Sequence, residues 1–436
     1  MIVRRHQRLP AWVGIAVIQQ QRHAAVGFGA DDPSHRLQHP VHAGIAIGHA
    51  KAVREGCVVA GAQGFLGRIY LRQPNAYDCR ANQARAGQVN AMKERFGFEK
   101  ASSDFQDLLR DPEIDVIDIC TPPYVHEEMI EAALAAGKHV VCEKPLTGYF
   151  GLPGDAEPIG EKVSKAVMFR HVVERMERLQ RIVEQSDRQF MYAENFIYAP
   201  AILKAAEIIR AKKSRILFAK GEESLKGSSS PVAGEWNRTG GGTFIRTGSH
   251  PLSAILWLKQ QEAQALGKHI RVKSVLADMT RLTPSLSEYE HRHIAARPHD
   301  VEDIGTVILA FSDGSRAVVM ANDTLLGGSK NYVQLYCNDT AINCRLTMAD
   351  MMETYFLDEE GLDEVEISEM LPQKTGWNKP FLLDDVMRGY TDEMKDFMEC
   401  ALYNRHPKSD FQVAAETVRI IYAAYQSAEQ GRVVEL

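Results

Sequence analysis

Two short runs of this chain carry side chains that move protons. Glu143-Lys144-Pro145 follows the apolar run His139-Val140-Val141-Cys142 and sets an ammonium beside a carboxylate. Gly240-Gly241-Gly242 leads through Thr243 to Pro251, where the glycines let backbone approach a ligand and His250 falls near a helix start, with Arg246 four residues before it. An imidazole with an ordinary pKa of about 6.5 accepts a proton at neutral pH, and a nearby ammonium favours a developing alkoxide. Residue types alone leave plainer readings open: a salt pair finishing a strand, and a histidine that caps or packs a helix start. A third run, Glu290-His291-Arg292-His293 followed by His299, Asp300, Glu302 and Asp303, raises a rival class, a hydrolytic metalloenzyme. His-x-His alone is a weak ligand pattern and the run reads as a charged loop, so no metal is expected.

The elements that must position Lys144 are legible. Asp115 to Cys120 reads as a buried strand stopped by Thr121-Pro122-Pro123, Tyr124 to Ala136 as an amphipathic helix closed by Gly137, and His139 to Cys142 as the next buried strand. Strand, helix and strand of these lengths make one right-handed parallel crossover. Both strand ends then emerge at one edge, the carboxyl edge where open α/β sheets bind ligands.

Upstream the text changes. Residues 1–90 contain one glutamate, Glu55, and one lysine, Lys51, although both types are common from Lys93 onward. We read 1–55 as an anomalous segment, disordered or translated in a wrong frame. Within it, Arg4-Arg5 and the apolar stretch Ala11 to Ile18 only faintly resemble an export signal. Cys57 to Ala60 followed by Gly61, Gly64 and Gly67 has the spacing of a pyrophosphate-binding turn, or of a plain glycine-rich one. Asp78 is the only acid available for a ribose, which leaves NAD and NADP undivided.

The run DVIDICTPPYVHEEMIEAALAAGKHVVCEKPL (115–146) resembles the N-terminal domain of the glucose–fructose oxidoreductase/inositol dehydrogenase/MocA family. The resemblance implies an α/β dinucleotide-binding domain of the Rossmann type, with a doubly wound parallel sheet over 56–198. It implies a C-terminal α+β domain over 199–436, with an open, mainly antiparallel sheet and helices on one face. It makes Thr121 and Pro122 contacts of NAD or NADP, with Glu143, Lys144 and Pro145 the turn beside the nicotinamide ribose and substrate hydroxyl. Gly61, Gly64 and Gly67 join that cofactor set, and His126 falls where relatives often carry a polar residue facing the cleft, although its helix position suits a satisfied or exposed histidine equally. His250 matches the histidine of the family's D-x-x-x-H motif, which exchanges a proton with the substrate hydroxyl, but Arg246 stands where the aspartate would be. Arginine cannot act as acid or base; it suits a substrate carboxylate, and with it a sugar acid. The implied activity is an NAD(P)-dependent dehydrogenase acting on the CH–OH group of a sugar, sugar acid or cyclitol, with Lys144 and His250 catalytic. Asn195, Arg246 and His126 are the candidate substrate contacts. The rival on the same fold is a binding protein without turnover.

The rest of the sequence fits that frame. Gly148 to Lys165 is a long connection, of the kind that forms lids or binding loops. Helices are expected at Val167–Gln185, Ala201–Ala211, Gly389–Tyr403 and Gln412–Glu429, a strand at Phe190–Asn195, and hairpins around Asp313-Gly314, Asn338-Asp339 and Glu360-Gly361. The resemblance implies a homodimer or homotetramer through the C-terminal sheet. A net charge of −6 argues against a nucleic-acid partner, and no apolar run reaches the roughly 20 residues needed to cross a bilayer. The seven cysteines form no CxxC pair and read as free thiols, which suits the cytoplasm.

Overall fold

The computed structural model describes residues 15–19, 69–72, 100–102, 104–347, 354–356, 375–378 and 384–436. Its first sheet is parallel and six-stranded, built from β1 (Ile15–Gln19), β2 (Ile69–Arg72), β3 (Lys100–Ala101), β4 (Val116–Cys120), β5 (His139–Glu143) and β6 (Phe190–Ala193), in the order β3-β2-β1-β4-β5-β6. Residues 15–19 come from the compositionally odd N-terminal segment, yet they pair with both β2 and β4. Cys57–Ala60, Gly61, Gly64, Gly67 and Asp78 lie outside the described residues.

The crossover forms where expected. Around it run α1 (Phe105–Arg110), α2 (His126–Ala135) and α3 (Lys165–Gln185). Asp104 caps α1 by accepting from the Gln106 amide at 3.0 Å, and Ser164 caps α3. Along α2, Met129, Ile130, Ala133 and Leu134 are buried, the stripe that fixes its roll on the sheet. The register pairs Glu143 with Ala193, so the residues just beyond β5 and β6 are neighbours at the carboxyl edge.

The second domain begins with α4 (Pro200–Lys212). Its sheet runs through β7 (Ile216–Ser224), β8 (Val272–Thr280), β9 (Ile304–Phe311), β10 (Arg316–Asn322), β11 (Lys330–Cys337) and β12 (Ala341–Arg345). A separate short pair is formed by β13 (Thr354–Phe356) and β14 (Gly376–Asn378), and β15 (Val434–Glu435) closes the large sheet, whose order is β12-β11-β7-β10-β9-β8-β15. All its pairs are antiparallel except β7 with β10. The hairpins at Asp313-Gly314 and Asn338-Asp339 are present, whereas Thr354–Phe356 pairs with Gly376–Asn378 rather than with residues just past Glu360-Gly361.

Helices α5 (Ser249–Leu266), α6 (Tyr390–Tyr403) and α7 (Phe411–Gln430) complete the domain. Helix α7 packs against α3 and β6 on one side and against α5 and β8 on the other, so it belongs to both domains. The Gly148–Lys165 connection is a strap between them. Tyr422 Oη accepts from the Tyr149 amide at 2.5 Å and donates to the Gly240 carbonyl at 2.6 Å. Asp300 accepts from the Gly160 amide at 2.9 Å, and Glu429 from the Lys165 amide at 3.0 Å. Among the described residues no helix is long and apolar enough to cross a membrane.

Candidate active site

The carboxyl edge of the first sheet presents two turns side by side. After β4 come Thr121 and Pro122 and a 3-10 turn at Pro123–Val125; after β5 come Lys144, Pro145 and Leu146. His126 joins them. Its ring is fully buried, with Nε2 2.8 Å from the Thr121 carbonyl and Nδ1 3.0 and 3.2 Å from those of Pro145 and Leu146. Burial lowers its pKa, and a neutral ring carries one N–H, so it donates on one nitrogen only while the other nitrogen merely faces a carbonyl. His126 therefore sits buried between the two turns and donates to the backbone of one of them, rather than facing the cleft. The thiols of Cys120 and Cys142 at the same strand ends are pushed up by burial and by nearby carboxylates, so neither is a thiolate nucleophile.

Lys144 crosses to the second domain, where Nζ donates to the Arg246 carbonyl at 2.5 Å. That carbonyl lies in a π-helical turn, Phe244–Gly248, which runs straight into α5 and brings His250 one turn later. His250 Nδ1 is 2.6 Å from Glu194 Oε1, and Glu194 immediately follows β6. Lys144 and Glu194, neighbours at one sheet edge, thus meet the same turn of the facing helix. The structure brings Lys144 and His250 together.

The segment that carries His250 is held by carboxylates for which no such role was legible in the sequence, Glu302 having been named only in the weak metal run. Glu302 lies beneath the glycines, its Oε2 accepting from Gly242 N and its Oε1 from Phe244 N, both at 2.8 Å. A Cβ on Gly242 would sit 1.9 Å from the Glu302 carbonyl oxygen, so only glycine fits. Burial pushes the Glu302 carboxyl up to about 6 against those hydrogen bonds. Asp323, beyond β10, forms a salt bridge with the Arg246 guanidinium and accepts from Thr243 Oγ1 at 3.0 Å. Arg246, expected to clamp a substrate carboxylate, is thus already paired. Glu223, on the inner face of β7, brings Oε2 within 4.0 Å of His250 Nε2. The Phe196 ring stacks on the imidazole with centroids 4.8 Å apart.

The remaining candidates fall elsewhere. Asn195 commits its side-chain amide to the Arg388 carbonyl at 3.0 Å. In the charged run of the second domain, His291 meets Arg297, and Asp300 and Asp303 accept backbone amides of Trp236 and of Leu282 and Thr283. Among the described residues no group of three or more His, Cys, Asp or Glu side chains is arranged to hold a metal.

Comparison with known proteins decides the family. Residues 56–166 match the NAD-binding Rossmann-fold model of the Gfo/Idh/MocA oxidoreductase family, and residues 216–436 match its C-terminal α/β domain. The chain belongs to that family. Its cofactor is accordingly a nicotinamide dinucleotide, NAD or NADP, and the edge fits one: two adjoining turns and a lysine ammonium stand where open parallel sheets bind an anionic dinucleotide. The myo-inositol 2-dehydrogenase of Thermotoga maritima is 22% identical over 357 residues, 81% of this chain and 90% of that one. The levoglucosan dehydrogenase of Pseudarthrobacter phenanthrenivorans is 54% identical, but over 52 residues, 12% of this chain and 13% of that enzyme. Among solved structures, GenD2 from gentamicin A biosynthesis in complex with NAD is 18% identical with a TM-score of 0.68, covering 100% of this chain and 99% of that one, a likeness of fold.

Proposed function

We propose that this oxidoreductase dehydrogenates a secondary hydroxyl of a neutral sugar or cyclitol. Bound at the carboxyl edge by the Thr121–Pro122 and Glu143–Pro145 turns, the nicotinamide supplies the hydride acceptor. His250 Nε2 takes the hydroxyl proton, since Nδ1 is engaged by Glu194. The Lys144 ammonium turns from the Arg246 carbonyl to the substrate oxygen as negative charge grows there. The observation that carries this reading is the meeting of Lys144, from one domain, with the turn that bears His250, from the other. The names of the relatives, which include inositol and levoglucosan dehydrogenases, support a sugar or cyclitol substrate.

A neutral substrate follows from the charges. Arg246 is matched by Asp323, while Glu194 and Glu223 both adjoin the imidazole, so a substrate carboxylate would lie near two acidic side chains. Binding without turnover is the weaker reading, because it gives the His250–Glu194 pair no role. Assembly belongs to the same proposal. Leu276, Ile308, Met320 and Tyr336 stand exposed on strands of the C-terminal sheet, and a second copy of the chain would cover them.

The test is turnover of NAD and NADP against neutral sugars, cyclitols and sugar acids. Lys144→Met and His250→Ala should each lower kcat by about 10²- to 10⁴-fold, with thermal stabilisation by NADH retained in His250→Ala. Full activity in either variant, or a preference for acids, would count against this assignment.

A further inference from the structure

The reaction proposed above names a base but not what holds it. Glu194 is wholly buried, and its Oε1 accepts at 2.6 Å from His250 Nδ1. Its other contact through that oxygen, to the Phe196 amide at 3.3 Å, caps the one-turn helix Asn195–Tyr198 and is much the weaker by geometry. Its second oxygen is buried and makes no hydrogen bond. A carboxylate accepts only, so at this distance the proton between the two groups belongs to Nδ1 and the lone pair to Nε2. Phe196, two residues on, stacks on the ring and fixes its plane. One strand end thus sets both the tautomer and the orientation of an imidazole on the opposite domain.

We infer that Glu194 is the positioning residue of the site. The carboxylate that keeps the base ready comes from the end of β6, while the helix that carries His250 offers Arg246 at the place where the family motif has an aspartate. Arg246 serves the cleft differently, its carbonyl seating Lys144 and its guanidinium meeting Asp323. A carboxylate on the nucleotide-binding domain couples the readiness of the base to the docking of the two domains, since His250 is aligned only while β6 faces α5.

This inference rests on the dehydrogenase reading for its consequence, but its geometry is testable without turnover. In wild-type protein with ¹⁵N-labelled histidine, NMR should show the His250 proton on Nδ1 at pH 8. A proton on Nε2 there overturns the inference, whatever the activity. In kinetics with the best alcohol of the panel, Glu194→Gln should lower kcat by about 10²-fold or more, as expected for a misdirected tautomer. KM for the alcohol and the NADH-induced rise in melting temperature should stay within about twofold of wild type. Glu194→Asp should recover part of the loss, which a merely structural cap would not require. Wild-type kcat in Glu194→Gln overturns the inference while leaving the dehydrogenase intact. If wild-type protein oxidises nothing on the panel, the dehydrogenase reading fails, and the NMR tautomer alone decides the role of Glu194.

Discussion

The two walls of the cleft are held by different forces. On one side, the Thr121 and Lys144 turns meet across the buried His126 ring, which is flanked by three backbone carbonyls and donates its single N–H on one nitrogen. On the facing side, the Gly240–His250 segment is fastened by ionisable groups: Glu302 to backbone amides, Asp323 to Arg246, Glu194 to His250. The first wall is held by packing and by a hydrogen bond between groups that carry no charge. The second depends on carboxylates kept out of water, where removing one partner leaves the other exposed to the full cost of its burial. Damage to the second wall should therefore be larger and more sensitive to pH.

The sharpest way to break this contrast is Asp323→Ala, which strands a guanidinium whose Nε is already buried without a hydrogen bond. Unfolding in urea should show a loss of about 3 kcal/mol, with much of it recovered in the double variant Asp323→Leu/Arg246→Met. A loss under about 0.5 kcal/mol would reduce the pair to an ordinary surface bridge. Glu302→Gln comes next. Its amide must turn an NH₂ group toward one of the two amides that the carboxylate now accepts, at a cost of about 1–3 kcal/mol.

The same residue gives the pH dependence. The folded-state value of about 6 lies above the ordinary glutamate value of 4.5, so the native chain binds this proton more tightly than the unfolded one. The resulting stability is complete below 4.5 and disappears as pH rises through about 6. Melting temperatures between those limits should trace that loss in the wild type and lack it in Glu302→Gln. The smallest effect is expected on the nucleotide wall. His126→Gln keeps one donor toward carbonyls and should cost about 1 kcal/mol, with NADH binding weakened a fewfold by calorimetry. A penalty for His126→Gln as large as that for Asp323→Ala would erase the distinction between the walls.

The same contrast explains what could be read from sequence. Strand β4, helix α2 and strand β5 are contiguous, and their apolar runs, the 3.6-residue stripe and the Gly137 stop are local signals that survive folding unchanged. Lys144 could be placed because a parallel crossover leaves its strand end only one edge to occupy. Glu194 could not. It is separated from His250 by 56 residues, and its neighbour Asn195 has the residue type that attracts attention at a strand end. Asp323 and Arg246 are 77 residues apart, and Glu302 lies 60 from Gly242 inside a run whose histidines drew the eye toward a metal. The expectation that Arg246 faces a substrate acid failed for the same reason: its counter-charge is distant in the chain and near in space. For His126 the satisfied reading could not be chosen over the cleft-facing one, because the groups around its ring are carbonyls, and carbonyls occur at every residue.

The strap from Gly148 to Lys165 has a consequence for how the molecule melts. Its bonds to Tyr422, Asp300 and Glu429, together with α7 wedged between both sheets, fuse two lobes that could otherwise unravel separately. The expected outcome on heating is a single calorimetric transition for both lobes. A dinucleotide that binds the first lobe is then expected to raise the melting temperature of both lobes together.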